Sequence, residues 1–168
     1  MKRTIEDILK LFPNTTANDW KQHDNGGGWV ANTAFVEATA YIGPNAQVYG
    51  YARVYGYAQV FGDARVYSDA QVYGNARVSG SAQVYGDARV SGDAQVFGDA
   101  WDTSPLYIRG SKHSATNTKH GYIAIGCEVH SYAEWLKDYK AIGKAAGYTK
   151  EQIKEYKAII DLFVKVGR

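Results

Sequence analysis

Val48-Tyr49-Gly50-Tyr51-Ala52-Arg53, then Val54-Tyr55-Gly56-Tyr57-Ala58-Gln59, are two copies of a six-residue unit running from Val30 to Trp101 without insertion. An aliphatic residue returns every sixth position, from Val30 through Ile42 to Val96, and an alanine follows each by four, from Ala34 to Ala100. Alanine and the next aliphatic residue lie two apart. On an extended chain both point to one side, and the Gln or Arg between them points to the other. The four remaining positions must turn the chain. Glycine, or Pro44 in one hexad, recurs where a corner needs special backbone angles or can dispense with an amide donor. Each of the twelve hexads is therefore one very short strand and one corner, and fixed-period arrays of this kind stack into a solenoid.

The repeated Val-x-Gly-x-Ala-x resembles the hexapeptide-repeat proteins that fold as left-handed parallel β-helices, three hexads to a triangular coil. The resemblance implies about four coils, with residues 18 apart in register and a prism only about 19 Å tall. In that register the exposed mid-strand positions form three columns: Gln47, Arg65, Gln83; Arg53, Gln71, Arg89; and Gln59, Arg77, Gln95. No Arg lies over another, which avoids like charges at roughly 5 Å. Tyr49, Tyr67 and Tyr85 run alongside as an aromatic ladder. The inward positions are Val, Ile and Ala, too small and regular to leave a ligand cavity inside the prism. Any ligand must sit outside it, between subunits, or in the appended segments. The family commonly forms trimers about parallel prism axes, with ligands in the clefts. Tyr49, Arg53, Arg65, Tyr67, Arg77, Tyr85, Arg89 and Trp101 are accordingly the candidate assembly or ligand-facing surface, since Tyr and Arg give large contact area. The alternative is a well-patterned solenoid surface with no partner.

Composition bounds the rest. At 45% hydrophobic and 21% charged, the chain is not disordered by composition. No apolar run is long enough to span a bilayer and no secretory leader is visible, so a cytoplasmic protein is expected. The single Cys127 excludes an internal disulfide framework, and a net charge of +2 argues against general nucleic-acid binding. Residues 30–101 carry four Arg against six acids, whereas 102–168 carry eleven Lys and Arg against seven acids.

Three segments follow: 1–28, an N-terminal helix and linker; 29–101, the repeat body; and 102–168, a C-terminal cap. Thr4 can cap a helix presenting Ile5, Ile8, Leu9 and Phe12, ended by Pro13. Gly26-Gly27-Gly28 reads as a flexible joint, there being no following helix to make it a phosphate cradle. In the cap, Tyr107–Arg109, His113–Asn117 and Tyr122–Ile125 read as strands, with Lys119-His120-Gly121 a hairpin turn. Ser131 with Glu134, and Thr149 with Gln152, are capping boxes opening two helices. The first would bury Trp135, Leu136, Tyr139 and Ile142, and the second Ile153, Tyr156, Ile159, Ile160 and Phe163. A solenoid end needs covering, a task this segment could serve.

All four histidines (His23, His113, His120 and His130) lie outside the repeats. Hexapeptide acyltransferases usually place a catalytic His on a loop or coil that breaks the pattern, and here the pattern is unbroken. Cys127 and His130 have metal-like spacing but do not fill a tetrahedral site, so a buried structural Cys is expected and no metal or cofactor. Arg109-Gly110-Ser111-Lys112-His113 is the best small-anion candidate, flanked by Tyr107 and Tyr122, with His130 as a further ligand-facing group. The Gly-Gly-Gly-Trp segment, the repeat body and Ile-Gly-Cys-x-x-His before a Trp-containing helical hairpin resemble small hexapeptide-repeat proteins of tailed phages. That resemblance implies host interaction: a non-enzymatic homotrimer in the host cytoplasm, sequestering a phosphate-bearing small molecule such as a nucleotide immune signal. An acyl- or acetyltransferase and a protein-interaction or virion-associated trimer are the alternatives.

Overall fold

A computed structural model describes residues 2–167. The chain forms two compact units. One comprises the residues up to 93 together with 97–104, the other 94–96 and everything from 105 onward.

The first unit is a mainly β solenoid of about four turns, as the repeat requires. One parallel sheet stacks Trp29–Ala31, Gln47–Val48, Arg65–Val66, Gln83–Val84 and Ala100–Trp101. A second stacks Phe35–Val36, Arg53–Val54, Gln71–Val72 and Arg89–Val90, and a third contains Tyr41–Ile42, Gln59–Val60 and Arg77–Ser79. Each coil donates its amides to the next. Phe35 N to Ala52 O, Arg53 N to Ala70 O and Gln71 N to Ala88 O are all 2.9 Å. The register is the 18-residue one: Gln47 pairs with Arg65 and Arg65 with Gln83, while Arg53 pairs with Gln71 and Gln71 with Arg89. Every inward Ala, Val and Ile from Ala40 to Val90 is fully buried. A buried valine contributes about 1.5–3 kcal/mol over an exposed one, so the hydrophobic term is spread evenly along the stack.

The corners explain the glycines. Gly62 has φ +67°, and a Cβ there would lie 2.9 Å from both N and O of Gly80 in the next coil. Ser68 takes the same left-handed conformation, φ +60°, with a side chain. Beside the corners, Tyr49 stacks on Tyr67 at 4.9 Å and Tyr67 on Tyr85 at 5.0 Å, and a second ladder stacks Tyr55 on Tyr73 at 4.9 Å.

The N-terminal segment is more structured than a helix and linker. Helix α1 (Ile5–Leu11) begins at Thr4 with a reciprocal Thr4–Asp7 capping box. Trp20–Gln22 then pairs antiparallel with Trp29–Ala31 and extends the first sheet. Ile8, Trp20, Trp29 and Ala31 form a small core with Phe12 and Tyr49 against it, and Trp29 Nε1 donates to Arg3 O at 3.1 Å. The triple glycine is not a flexible joint. A Cβ on Gly26 would collide with Ile42 O, and one on Gly28 with Gly43 O, so the backbone is pressed onto the first coil. His23 is buried there, its Nε2 2.9 Å from Ala40 O.

Trp101 also departs from expectation. It is not on the prism surface but 1% exposed, because it occupies the inward aliphatic position of its hexad and pairs with Val84.

The second unit is a four-stranded antiparallel meander of Tyr107–Arg109, Ser114–Lys119, Tyr122–Ile125 and Glu128–Ser131, followed by helices α2 (Tyr132–Ala145) and α3 (Lys150–Val166). Ser131 and Thr149 cap the helices as the sequence indicates, each box being reciprocal. Trp135, Tyr156, Ile160 and Phe163 pack on Ala115, Ile123 and Ile125, with Tyr139, Ile142 and Ile159 at the margin. Leu136 is instead 40% exposed: one residue on from Trp135, it points away from the stripe formed by 135, 139 and 142. The fourth strand goes beyond the three that the sequence signals. Gly126, at φ +60°, and Cys127 turn the chain into it, which leaves Cys127 exposed and not buried. None of the helices among the described residues is long and apolar enough to cross a membrane.

Candidate functional site

The basic loop of the second unit is organised around its own partners. Arg109 and Ser114 face each other across the first two strands, and the loop between them is held from α3. The Ser111 amide donates to Glu155 Oε1 at 2.8 Å and its hydroxyl to Oε2 at 2.5 Å, so an internal carboxylate sits where a small anion was expected. Lys112 Nζ donates to the carbonyls of Ala146 and Gly147 at 2.8 and 3.0 Å, closing the C-terminus of α2, and lies 4.6 Å from the Tyr148 ring centre. The Tyr156 hydroxyl accepts from the amides of Lys112 and His113 and donates to His113 O.

The two flanking tyrosines do not converge on that loop. Tyr107 lies opposite Thr116, its hydroxyl 3.1 Å from Ser114 Oγ. Tyr122 lies opposite Lys119 at the far end of the same strand, with Lys119 Nζ 3.8 Å from its ring centre. His130 packs edge-on against Trp135, centroids 5.0 Å apart, and its Nε2 is 3.1 Å from Glu128 Oε2. His113 is brought beside Tyr148 and the turn at Gly126, where it joins Cys127 and Glu128 at the rim of a cavity. Burial, with Tyr156 alongside, pushes the Tyr148 phenol up to about 12, so that hydroxyl stays protonated across the neutral range. Among the described residues, no three His, Cys, Asp or Glu side chains come together as metal ligands.

On the solenoid the faces differ. Tyr49, Tyr67 and Arg65 belong to the first sheet, where Phe12 and Trp20 pack against Tyr49 and Gln47 is fully buried. Burial raises the phenols of Tyr49 and Tyr67 above the ordinary tyrosine value, and a neighbouring tyrosine adds to each. Arg77 is exposed on the third sheet; Arg89, on the second, has its amide bonded to Ser104 Oγ at 3.0 Å.

The second sheet presents a cation among aromatic rings. The exposed Arg53 guanidinium lies 5.7 Å from the ring centres of both Phe35 and Tyr55. Among the described residues, no carboxylate is within salt-bridge distance of it. Tyr51 and Tyr57 flank this strand on its two corners, 71% and 69% exposed, and Phe35 is 51% exposed. Sequence reasoning missed these three aromatics, although a signal was there. The residue before the repeat alanine is Thr, Asn, Asp or Ser in ten hexads and Tyr in two, Tyr51 and Tyr57.

Neither a curated protein nor a solved structure matches the chain. The YdcK β-solenoid repeat family model matches residues 70–84 and 82–98, hexads of the repeat body, so the likeness is to a β-solenoid and lies where the coils stack.

Proposed function

We propose that this chain is a non-enzymatic, homotrimeric binding protein that holds a phosphate-bearing small molecule of nucleotide type against the second solenoid face, between protomers. The observation that carries the reading is Arg53: an exposed guanidinium 5.7 Å from two ring centres, with no carboxylate of the described residues in salt-bridge range, flanked by two tyrosines that the repeat itself does not need. Arginine offers forked donors to phosphate, and exposed aromatic faces stack on a base. The basic loop at 109–113 plays a lesser part, since Glu155 occupies its amide and hydroxyl donors. The likeness to tailed-phage proteins extends the reading to sequestration of a nucleotide immune signal of a bacterial host.

The test combines light scattering with a panel of cyclic dinucleotides and ADP-ribose derivatives, followed by denaturation and recovery of the ligand. The expected result is a trimer that releases one panel member chemically intact. Arg53→Gln, the residue found directly above in the same column, should keep the fold and weaken binding at least about tenfold. A monomer, recovery of altered ligand, or no binding to any member overturns the reading. A stable complex with a protein and no small ligand would favour the interaction-trimer alternative instead.

A further inference from the structure

Between the meander and the two helices of the C-terminal unit lies a partly open cavity of about 60 Å³. Ile125 contributes one wall, Ile142 from α2 and Ile153 from α3 the others, and Trp135, Tyr139, Tyr148 and Tyr156 turn aromatic surface toward it. A cavity that takes benzene is of the order of 150 Å³, so this one has room for a short aliphatic chain and not for a ring. The mouth is polar. His113, Cys127 and Glu128 line it, and neither the imidazole of His113 nor the Cys127 thiol has a hydrogen-bond partner among the described residues.

Among the described lining residues the fixed charge has one sign. Of the described lining residues, Glu128 alone carries a fixed charge, and four others are aromatic, a ring type whose face attracts cations. Two of those rings already do so: Lys112 lies 4.6 Å from the centre of Tyr148, and Lys157 and Lys140 lie 5.6 and 5.8 Å from that of Tyr139. Among the described residues, no lysine or arginine lines the cavity itself. An anionic ligand would meet the Glu128 carboxylate, whose Oε2 lies 3.1 Å from His130 Nε2 and whose Oε1 is the oxygen left for a cationic one.

We propose that this cavity binds a short primary alkylammonium, its chain among the isoleucines and rings and its ammonium at the mouth beside Glu128. The same chemistry could reach the site as a free amine or as a lysyl side chain. The site is separate from the solenoid face, and each can fail without the other.

The experiment titrates n-butylammonium, n-butanol and butyrate into the full chain, read by amide shifts in a two-dimensional nitrogen–proton NMR spectrum. Butylammonium should give saturable shifts at residues 125–128 and 143–148, with affinity at least about tenfold above that of either isostere. Glu128→Gln, at an exposed position, should weaken butylammonium about tenfold and leave butanol unchanged. Ala146→Leu, at the exposed rim, should abolish the shifts while leaving thermal unfolding close to wild type. Butanol or butyrate binding as tightly as butylammonium overturns the proposal, as does the absence of saturable shifts or full binding by Ala146→Leu. Nα-acetyl-lysine methylamide then separates the sources: tighter binding than butylammonium identifies a lysyl side chain, weaker binding a free amine.

Discussion

At the scale of single residues, the fold depends on backbone angles more than on side-chain chemistry. Gly62 needs φ +67°, and the next coil leaves no space for a Cβ, the nearest backbone atoms being 2.9 Å away. Gly62→Ala should therefore lose more than the ~1 kcal/mol of a simple left-handed penalty, on the order of 2 kcal/mol or more by chemical denaturation. Ser68 is the converse. It already takes φ +60° with a side chain, so Ser68→Gly should be neutral to about 1 kcal/mol stabilising. Opposite signs at two equivalent corners would establish that the left-handed corner, with the space the next coil leaves at it, governs these positions.

Among the elements, those whose determinants are local were legible in the chain and those defined by a distant partner were not. Thr4, Ser131 and Thr149 each announce a helix because cap and carboxylate or amide lie three residues apart. Trp20–Gln22 and Glu128–Ser131 carry no such signal, since only pairing with Trp29–Ala31 and Tyr122–Ile125 makes them strands. The filling of the candidate loop is hidden from the sequence for the same reason. Its residues are contiguous, but the carboxylate that fills it, Glu155, is 44 residues on from Ser111 and faces it from another element.

The caps also couple the helices to acid. Hydrogen bonds from the Ser131 hydroxyl, and then its amide, hold Glu134 below the ordinary carboxylate range, and the Thr4 amide does the same for Asp7. A carboxyl depressed in the folded state contributes stability above its unfolded value, near pH 4, and that contribution is lost as pH falls through the lower folded value. The box of α3 uses the amide of Gln152, which does not titrate; the carboxyl held low there is Glu151, by its own backbone amide and then by the Thr149 hydroxyl. Glu134→Gln should therefore flatten part of the acid limb of a stability-versus-pH curve measured from pH 6 to pH 2. An unchanged acid limb would show that the Ser131–Glu134 cap does not couple to folding.

For the molecule as a whole, the stacking register is the property most open to test. Gln71 pairs with Arg53 below and Arg89 above, so Gln71→Arg places three guanidinium groups in one column about 4.8 Å apart. The expected loss is about 1 kcal/mol in dilute buffer, shrinking toward zero in 1 M salt, with Gln71→Met as the uncharged control. A salt-independent loss would point to packing and not to charge. The body of the solenoid was readable to this level because every coil repeats the same few demands, and the sequence states them twelve times.

The pairing of a two-hexad surface pattern with a three-hexad coil also restricts how such a chain can change length. Removing one coil keeps every face in place but inverts the Arg/Gln phase, leaving like over like once in each column at the junction. Removing two hexads keeps the phase but turns everything downstream by a third of a revolution. Six hexads is the smallest block that can be gained or lost with both preserved, and the body is two such blocks long. Growth by duplication would therefore proceed in few and large steps, with the intermediate lengths selected against by their own seams.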